Sequence, residues 1–132
     1  MIIRRMPMTV LQTAVYSILQ HQTTPVYDDV PKDAAMPCIT FGPFTCKQVG
    51  NKGTDINDIS QQLYIWSEYE GKKELNEIAN DVYAVLTSYP LELANGFIAL
   101  SQDVDFFEAF AEEDSGYHGV ITFVAKIQNI GE

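Results

Sequence analysis

Positive charge is what this chain has least of. Eight lysines and arginines stand against eighteen aspartates and glutamates, a formal net charge of −10 in 132 residues. So acidic a surface excludes a conventional DNA- or RNA-binding face, which needs a basic patch to replace condensed counterions. Cysteine is scarce as well. Cys38 and Cys46 are too few for a disulfide framework. On one continuous strand they lie roughly 26 Å apart, at ~3.3 Å per residue, far outside bonding range. Only a hairpin bend at Gly42-Pro43 brings them together, so two free thiols are expected. Long apolar runs are missing too. The opening MIIRRMPMTVLQTAVYSIL has the outline of a leader peptide, but Thr9, Gln12, Thr13 and Ser17 interrupt it at helical intervals and no small-residue cleavage site follows. Nothing approaches the ~20 apolar residues of a membrane-crossing helix. A soluble protein made in the cytoplasm, with no membrane partner, is the expectation.

Histidine is nearly absent, and this thins the catalytic options. His21 and His118 have no metal-binding spacing, so a zinc site needs remote partners that the sequence does not advertise. A thiol of Cys38 or Cys46 with His118 as base is a formal nucleophile pair without a recognisable nucleophile motif. Asp28-Asp29 and Glu112-Glu113-Asp114 lack the spacing of a calcium loop and read as solvated charge. GNKG at 50–53 has no Ser or Thr after its lysine and precedes a strand, so no helix N-terminus faces a phosphate. The residues point to no enzyme, no cofactor and no metal.

What is present is a strand, a polar turn and a helix between Asp58 and Leu86. Ile59, Gln61, Leu63 and Ile65 alternate with Gln62, Tyr64 and Trp66, the period of a strand. From Lys72 the spacing changes to threes and fours, with Leu75, Ile78, Ala79, Val82, Val85 and Leu86 on one stripe of a helix. Burying each large apolar side chain contributes about 1.5–3 kcal/mol before entropy costs. This stretch is the expected core.

The rest falls into place around it. Thr9 and Gln12 have the spacing of a capping box for a first helix, with Val10, Leu11, Ala14, Val15, Ile18 and Leu19 inward. Its outward face of Gln12, Thr13, Ser17 and Gln20 carries no charge. Residues 20–37 hold prolines that exclude a helix, and Val26-Tyr27 is an anchor or a short edge strand. Cys38–Phe41 is a strand bent at Gly42-Pro43 and continued from Phe44 to Val49. Gly50 to Asp58 is the most loop-like segment. Asn95-Gly96 is a turn, and a strand runs from Phe97 to about Phe107, broken by Asp103 and Asp105. Glu108–Gly116 reads as an acidic loop, and Tyr117–Gln128 as an interior strand. The expected fold is α+β: one domain over 1–132, α-β-β-α-β-β, a mostly antiparallel sheet with two helices on one face.

Four segments carry a resemblance: LQTAVYSIL, PVYDDVPKDAAMPCITFG, LYIWSEYEGKKE and LNEIANDVYAVL. Together they resemble the small tail completion proteins of long-tailed bacteriophages, the tail-terminator or tail-to-head joining proteins of siphophages. The second segment is the most specific, and it has Cys38 where an aromatic residue is commoner. The match spans roughly Leu11 to Leu86, and the C-terminal third agrees only in expected topology. The resemblance implies a structural virion protein at the head–tail interface. Copies form a ring, usually a hexamer, that caps the tail tube, stops its polymerisation and offers a docking face to a head-completion or connector protein. DNA crosses such a ring without specific binding.

In that setting the loop Lys47–Asp58 is an expected interaction arm, with Lys47, Asn51, Lys52, Thr54 and Asp55 as its contact residues. Asp28, Asp29, Glu112, Glu113 and Asp114 are the candidate acidic lumen. The competing reading is a small cytoplasmic ligand-binding domain, or a catalytic one using its thiols or histidines.

Overall fold

The computed structural model describes residues 2–29, 33–69, 71–112 and 116–131. Helix α1 spans Met8–Leu19, and the two-residue strand β1 spans Val26–Tyr27. Strands β2 (Cys38–Gln48) and β3 (Asp55–Ser67) form a hairpin, and helix α2 (Lys73–Ser88) follows. A second hairpin, β4 (Phe97–Ala111) and β5 (Tyr117–Asn129), completes the chain. The sheet order is β1-β2-β3-β5-β4, antiparallel throughout except that β1 runs parallel to β2. The expected α+β architecture holds, and of the two expected roles Val26-Tyr27 takes that of a short edge strand.

Alternation along β3 decides where the core lies. Asp55, Asn57, Ile59, Gln61, Leu63, Ile65 and Ser67 are buried, and the residues between them are less so. Their partners on β5, from Ile121 through Ile127, supply Ile121, Phe123, Ala125 and Ile127 to the same face. Helix α2 lays Leu75, Ile78, Ala79, Val82, Val85 and Leu86 against that face, and α1 adds Leu11, Ala14, Val15, Ile18 and Leu19. Both helices therefore share one side of the sheet, and one apolar cluster fills the space between the layers. The other side has no helix over it among the described residues.

Polar side chains close the joints. The Ser67 hydroxyl donates to Glu74 at 2.7 Å and also accepts from the Tyr69 N–H, which fixes the turn from β3 into α2. At the far end of α2, the Gln102 amide of β4 donates to the Leu86 and Tyr89 carbonyls and accepts from the Leu91 N–H. One side chain thus satisfies carbonyls that a helix end leaves without intrahelical partners.

Three sequence expectations need correction. Helix α1 is not capped by Thr9: it starts at Met8 after Pro7, with no side-chain cap, and the Leu11 N–H reaches the Pro7 carbonyl. Thr9 lies inside the helix, where its carbonyl accepts from the Thr13 hydroxyl, and Gln12 turns outward to donate to Asp28. Residues 108–111 are not loop but the end of β4, paired with β5 as far as Ala111–Tyr117. The segment 50–58 is not one long loop either, because β3 already begins at Asp55.

The bend at Gly42-Pro43 appears as expected, as a register shift between Phe41 and Phe44. Similar shifts in β4, between Ala99 and Ser101 and between Val104 and Phe106, leave Leu100 and Asp105 without a register partner. Of the two acids that read as interruptions, Asp105 sits at a bulge, while Asp103 stays in register opposite Val124.

Candidate interaction surface

The groups capable of chemistry do not converge. Cys38 is buried beside the Met36 sulfur, and Cys46 donates to the Asn57 side-chain oxygen. Both are free thiols. Burial pushes both up from their ordinary value, and Asp55 adds to the rise at Cys46, so each stays protonated at neutral pH. Neither thiol is hydrogen-bonded to a histidine among the described residues. His21 instead stacks on Tyr89 at 3.9 Å, beside a cleft of about 170 Å³ lined by Ser17, Ile18 and Glu92. That is below the roughly 300–1,000 Å³ of an ordinary small-molecule site. The described residues contain no group of three or more His, Cys, Asp or Glu placed to hold a metal ion. No described helix is long and apolar enough to cross a membrane.

The conspicuous surfaces are the helix-free face of the sheet and its β4 edge. Strand β4 has β5 on one side and no strand on the other among the described residues. Along its length Ile98, Leu100, Phe106, Phe107 and Phe110 are all substantially exposed, Phe106 at 49%. A long apolar edge with free N–H and C=O groups is a pairing surface unless something blocks it. On the open face, His118 of β5 stacks between Trp66 of β3 (5.0 Å) and Phe110 of β4 (4.9 Å), and Tyr64 meets Trp66 edge-on. Trp66 donates its indole N–H to Thr40, and the Glu112 carboxylate lies against His118 Nδ1.

The aromatic group ties all four long strands together at one end of the sheet. Towards the other end, the same face forms an open groove of about 370 Å³ lined by Thr45, Lys47, Asp58, Ser60, Ser101, Val124 and Lys126.

Neither the β4 edge nor this aromatic group is among the surfaces expected from the sequence. The signal available was the run of apolar residues in FIALSQDVDFFEAFA, obscured by two phase changes at the bulges.

Lys47, Asn51, Lys52, Thr54 and Asp55 fall into two environments. Lys47, Asn51 and Lys52 are exposed, on β2 or the turn after it. The turn itself is only Val49–Thr54, shorter than the expected Lys47–Asp58 arm, and its polar residues bind one another. The Asn51 N–H donates to the Thr54 hydroxyl, the Gly53 N–H to the Asn51 side chain, and the Gly50 N–H to Gln48. Arg4 donates to the Asn51 carbonyl from the N-terminal segment.

Asp55 lies inside the fold, 1% exposed. Its carboxylate accepts from the Arg5 N–H (2.8 Å), from Gln48 (2.7 Å) and from Asn129 (3.0 Å). Burial alone raises this carboxyl; the Arg5 N–H, the Asn129 and Gln48 amides and the nearby Arg4 charge outweigh it and hold it below its ordinary range. Arg5 donates its guanidinium N–H groups to Asn129 and covers the Phe97 ring at 4.3 Å. Asp55 is therefore the centre of a polar knot that fastens the N-terminal segment across β3 and β5.

The described candidate acidic residues sit at opposite edges of the sheet. Asp28 and Asp29 follow β1, at one edge of the sheet, while Glu112 follows β4, at the other. Glu113 and Asp114 lie outside the described residues.

No curated protein matches the chain in sequence. The fold is shared with a chain in the virion of a native gene transfer agent (GTA) particle. That chain is 20% identical with a TM-score of 0.83, over 92% of this chain and 97% of the other. A sequence profile of the family described as Tail completion protein gp17 matches residues 10–128. The match extends well beyond the Leu11–Leu86 stretch that carried the resemblance and takes in both hairpins. On that ground the chain belongs to the tail completion protein gp17 family, whose members are structural proteins of phage-type tails.

Proposed function

We propose that this protein ends the tail of a long-tailed, siphophage-type particle. Copies assemble into a homohexameric ring that caps the tail tube, stops further polymerisation and presents a face to a head-completion or connector protein at the head–tail interface. The family match over residues 10–128 carries this reading. The kinship in fold with a chain of a gene transfer agent virion agrees with it. So does the shape of the isolated subunit, which exposes a sheet face without helices and a long apolar edge.

No catalytic residue or cofactor enters the proposal; the work is assembly. The formal charge of −10 suits a ring through which DNA passes without being held, since there is little positive charge to replace its counterions. Light scattering over a range of concentrations, followed by negative-stain microscopy with and without purified tail tubes, tests it. Particles with a central hole, or caps on tube ends, are the expected result. A compact monomer that never associates, even on tubes, contradicts it.

A further inference from the structure

The ring reading leaves open which surfaces of neighbouring subunits meet, and the sheet supplies an answer that rests on that reading. The four long strands alternate in direction in the spatial order β2, β3, β5, β4, because each neighbouring pair is antiparallel. If the same order is repeated around an axis running along the strands, β4 of one copy is followed by β2 of the next, again antiparallel. The alternation then continues without a break.

The β2 edge is partly free for this. Strand β1 covers it only at Ile39 and Thr40, and past the bend at Gly42-Pro43 the stretch Phe44–Gln48 has no neighbour on that side among the described residues. We propose that the ring closes by β-strand pairing between the β4 edge of one copy and the Phe44–Gln48 edge of the next, with Lys47 set against Asp103.

Charge supports a heterologous contact between unlike edges. Strand β4 bears Asp103, Asp105 and Glu108, all exposed, and no basic residue. The opposite edge bears Lys47, with Lys52 in the adjoining turn and Arg4 bound to that turn. Two β4 edges brought together would set acid against acid, which disfavours a closed two-fold dimer; an acidic edge against a basic one permits head-to-tail closure. The same acids keep the apolar edge from pairing with edges lacking a complement.

Register makes the pair specific. One row across the sheet runs Lys47, Asp58, Lys126, Ser101, and the next runs Thr45, Ser60, Val124, Asp103. Lys47 and Asp103 therefore belong to the same, helix-free face. Setting copies level with each other makes Lys47 of the next copy a diagonal neighbour of Asp103, within reach of a long side chain. The exposed Ile98, Leu100 and Phe106 flank this site along β4 and would be covered by the same contact.

A charge exchange tests the pairing. Lys47→Glu and Asp103→Lys each place like charges across the contact, and the effect is repeated at every interface of the ring. Each single variant is expected to remain folded by circular dichroism and to raise the protein concentration needed for assembly about tenfold or more. The double variant restores the opposite-charge pair and should assemble near the wild-type concentration.

Single variants that assemble as wild type does, or a folded double variant that stays as impaired as the singles, overturn the edge pairing while leaving the ring itself standing. A wild-type protein that forms no ring, alone or on tail tubes, removes the ring reading and this pairing with it.

Discussion

Val82→Asp abolishes cooperative folding. Val82 is fully buried on α2, between Ile78 and Leu86, and faces the same cluster as Leu63, Ile121 and Phe123. A carboxylate there loses its water without gaining a donor, at a cost of several kcal/mol, against a total stability of about 5–15 kcal/mol for a domain. Asn80→Asp is the control. Residue 80 is exposed on the same helix, so a charge there should move the stability by no more than about 0.5 kcal/mol. Thermal melts of the two variants decide the matter. A Val82→Asp protein that melts like wild type shows that α2 does not hold the core.

Removing the Asp55 carboxylate should have the second-largest effect, through orphaned donors and not through lost apolar area. Asp55→Ala strands the Gln48 and Asn129 amides and the Arg5 N–H at a buried site. A loss of about 3 kcal/mol is expected, given about 1–3 kcal/mol for each buried donor left unpaired. Asp58→Ala is the comparison. Asp58 is exposed and its ion pair, with Lys126, is a loose surface one at 3.9 Å, so it should cost under about 1 kcal/mol.

The pH dependence has a definite sign. The folded-state pKa of Asp55 is lowered from its ordinary 3.8, so the carboxylate's contribution is complete above that value and is lost as pH falls through the lower folded value. The stability gap between wild type and Asp55→Ala should therefore be constant from neutral pH down to mildly acidic conditions and then shrink. Denaturant titrations at a series of pH values measure it. A gap that widens on acidification contradicts the assigned hydrogen bonds.

The core was legible in the sequence because its cover is one-sided. With both helices on one face, β3 must alternate between buried and less buried residues, and α2 must carry a stripe; both periods can be read directly. Strand β4 was misjudged at its end for the converse reason. Its outer face and outer edge have no cover among the described residues, so its apolar residues follow no single period. The bulged Leu100 and Asp105 shift the phase twice.

The Asp55 knot was hidden by distance along the chain. Aspartate, asparagine and glycine between 50 and 58 look like a solvated loop until Arg5 and Asn129, far away in sequence, supply the partners that bury Asp55. The start of α1 was misplaced by two residues because a Thr-x-x-Gln spacing suits a cap equally well inside a helix, where Thr9 and Gln12 in fact lie. The interaction surface was the least legible part, since an edge that pairs with no strand among the described residues leaves no partner pattern to read.

The central claim is that this protein ends tail growth and joins the tail to the head. Deleting its gene and inspecting the resulting particles by electron microscopy tests that directly. The account predicts DNA-filled heads lying free beside tails of irregular, overlong length, with joined particles restored when the protein is supplied in trans. Particles with tails of normal, uniform length attached to heads in its absence would contradict it.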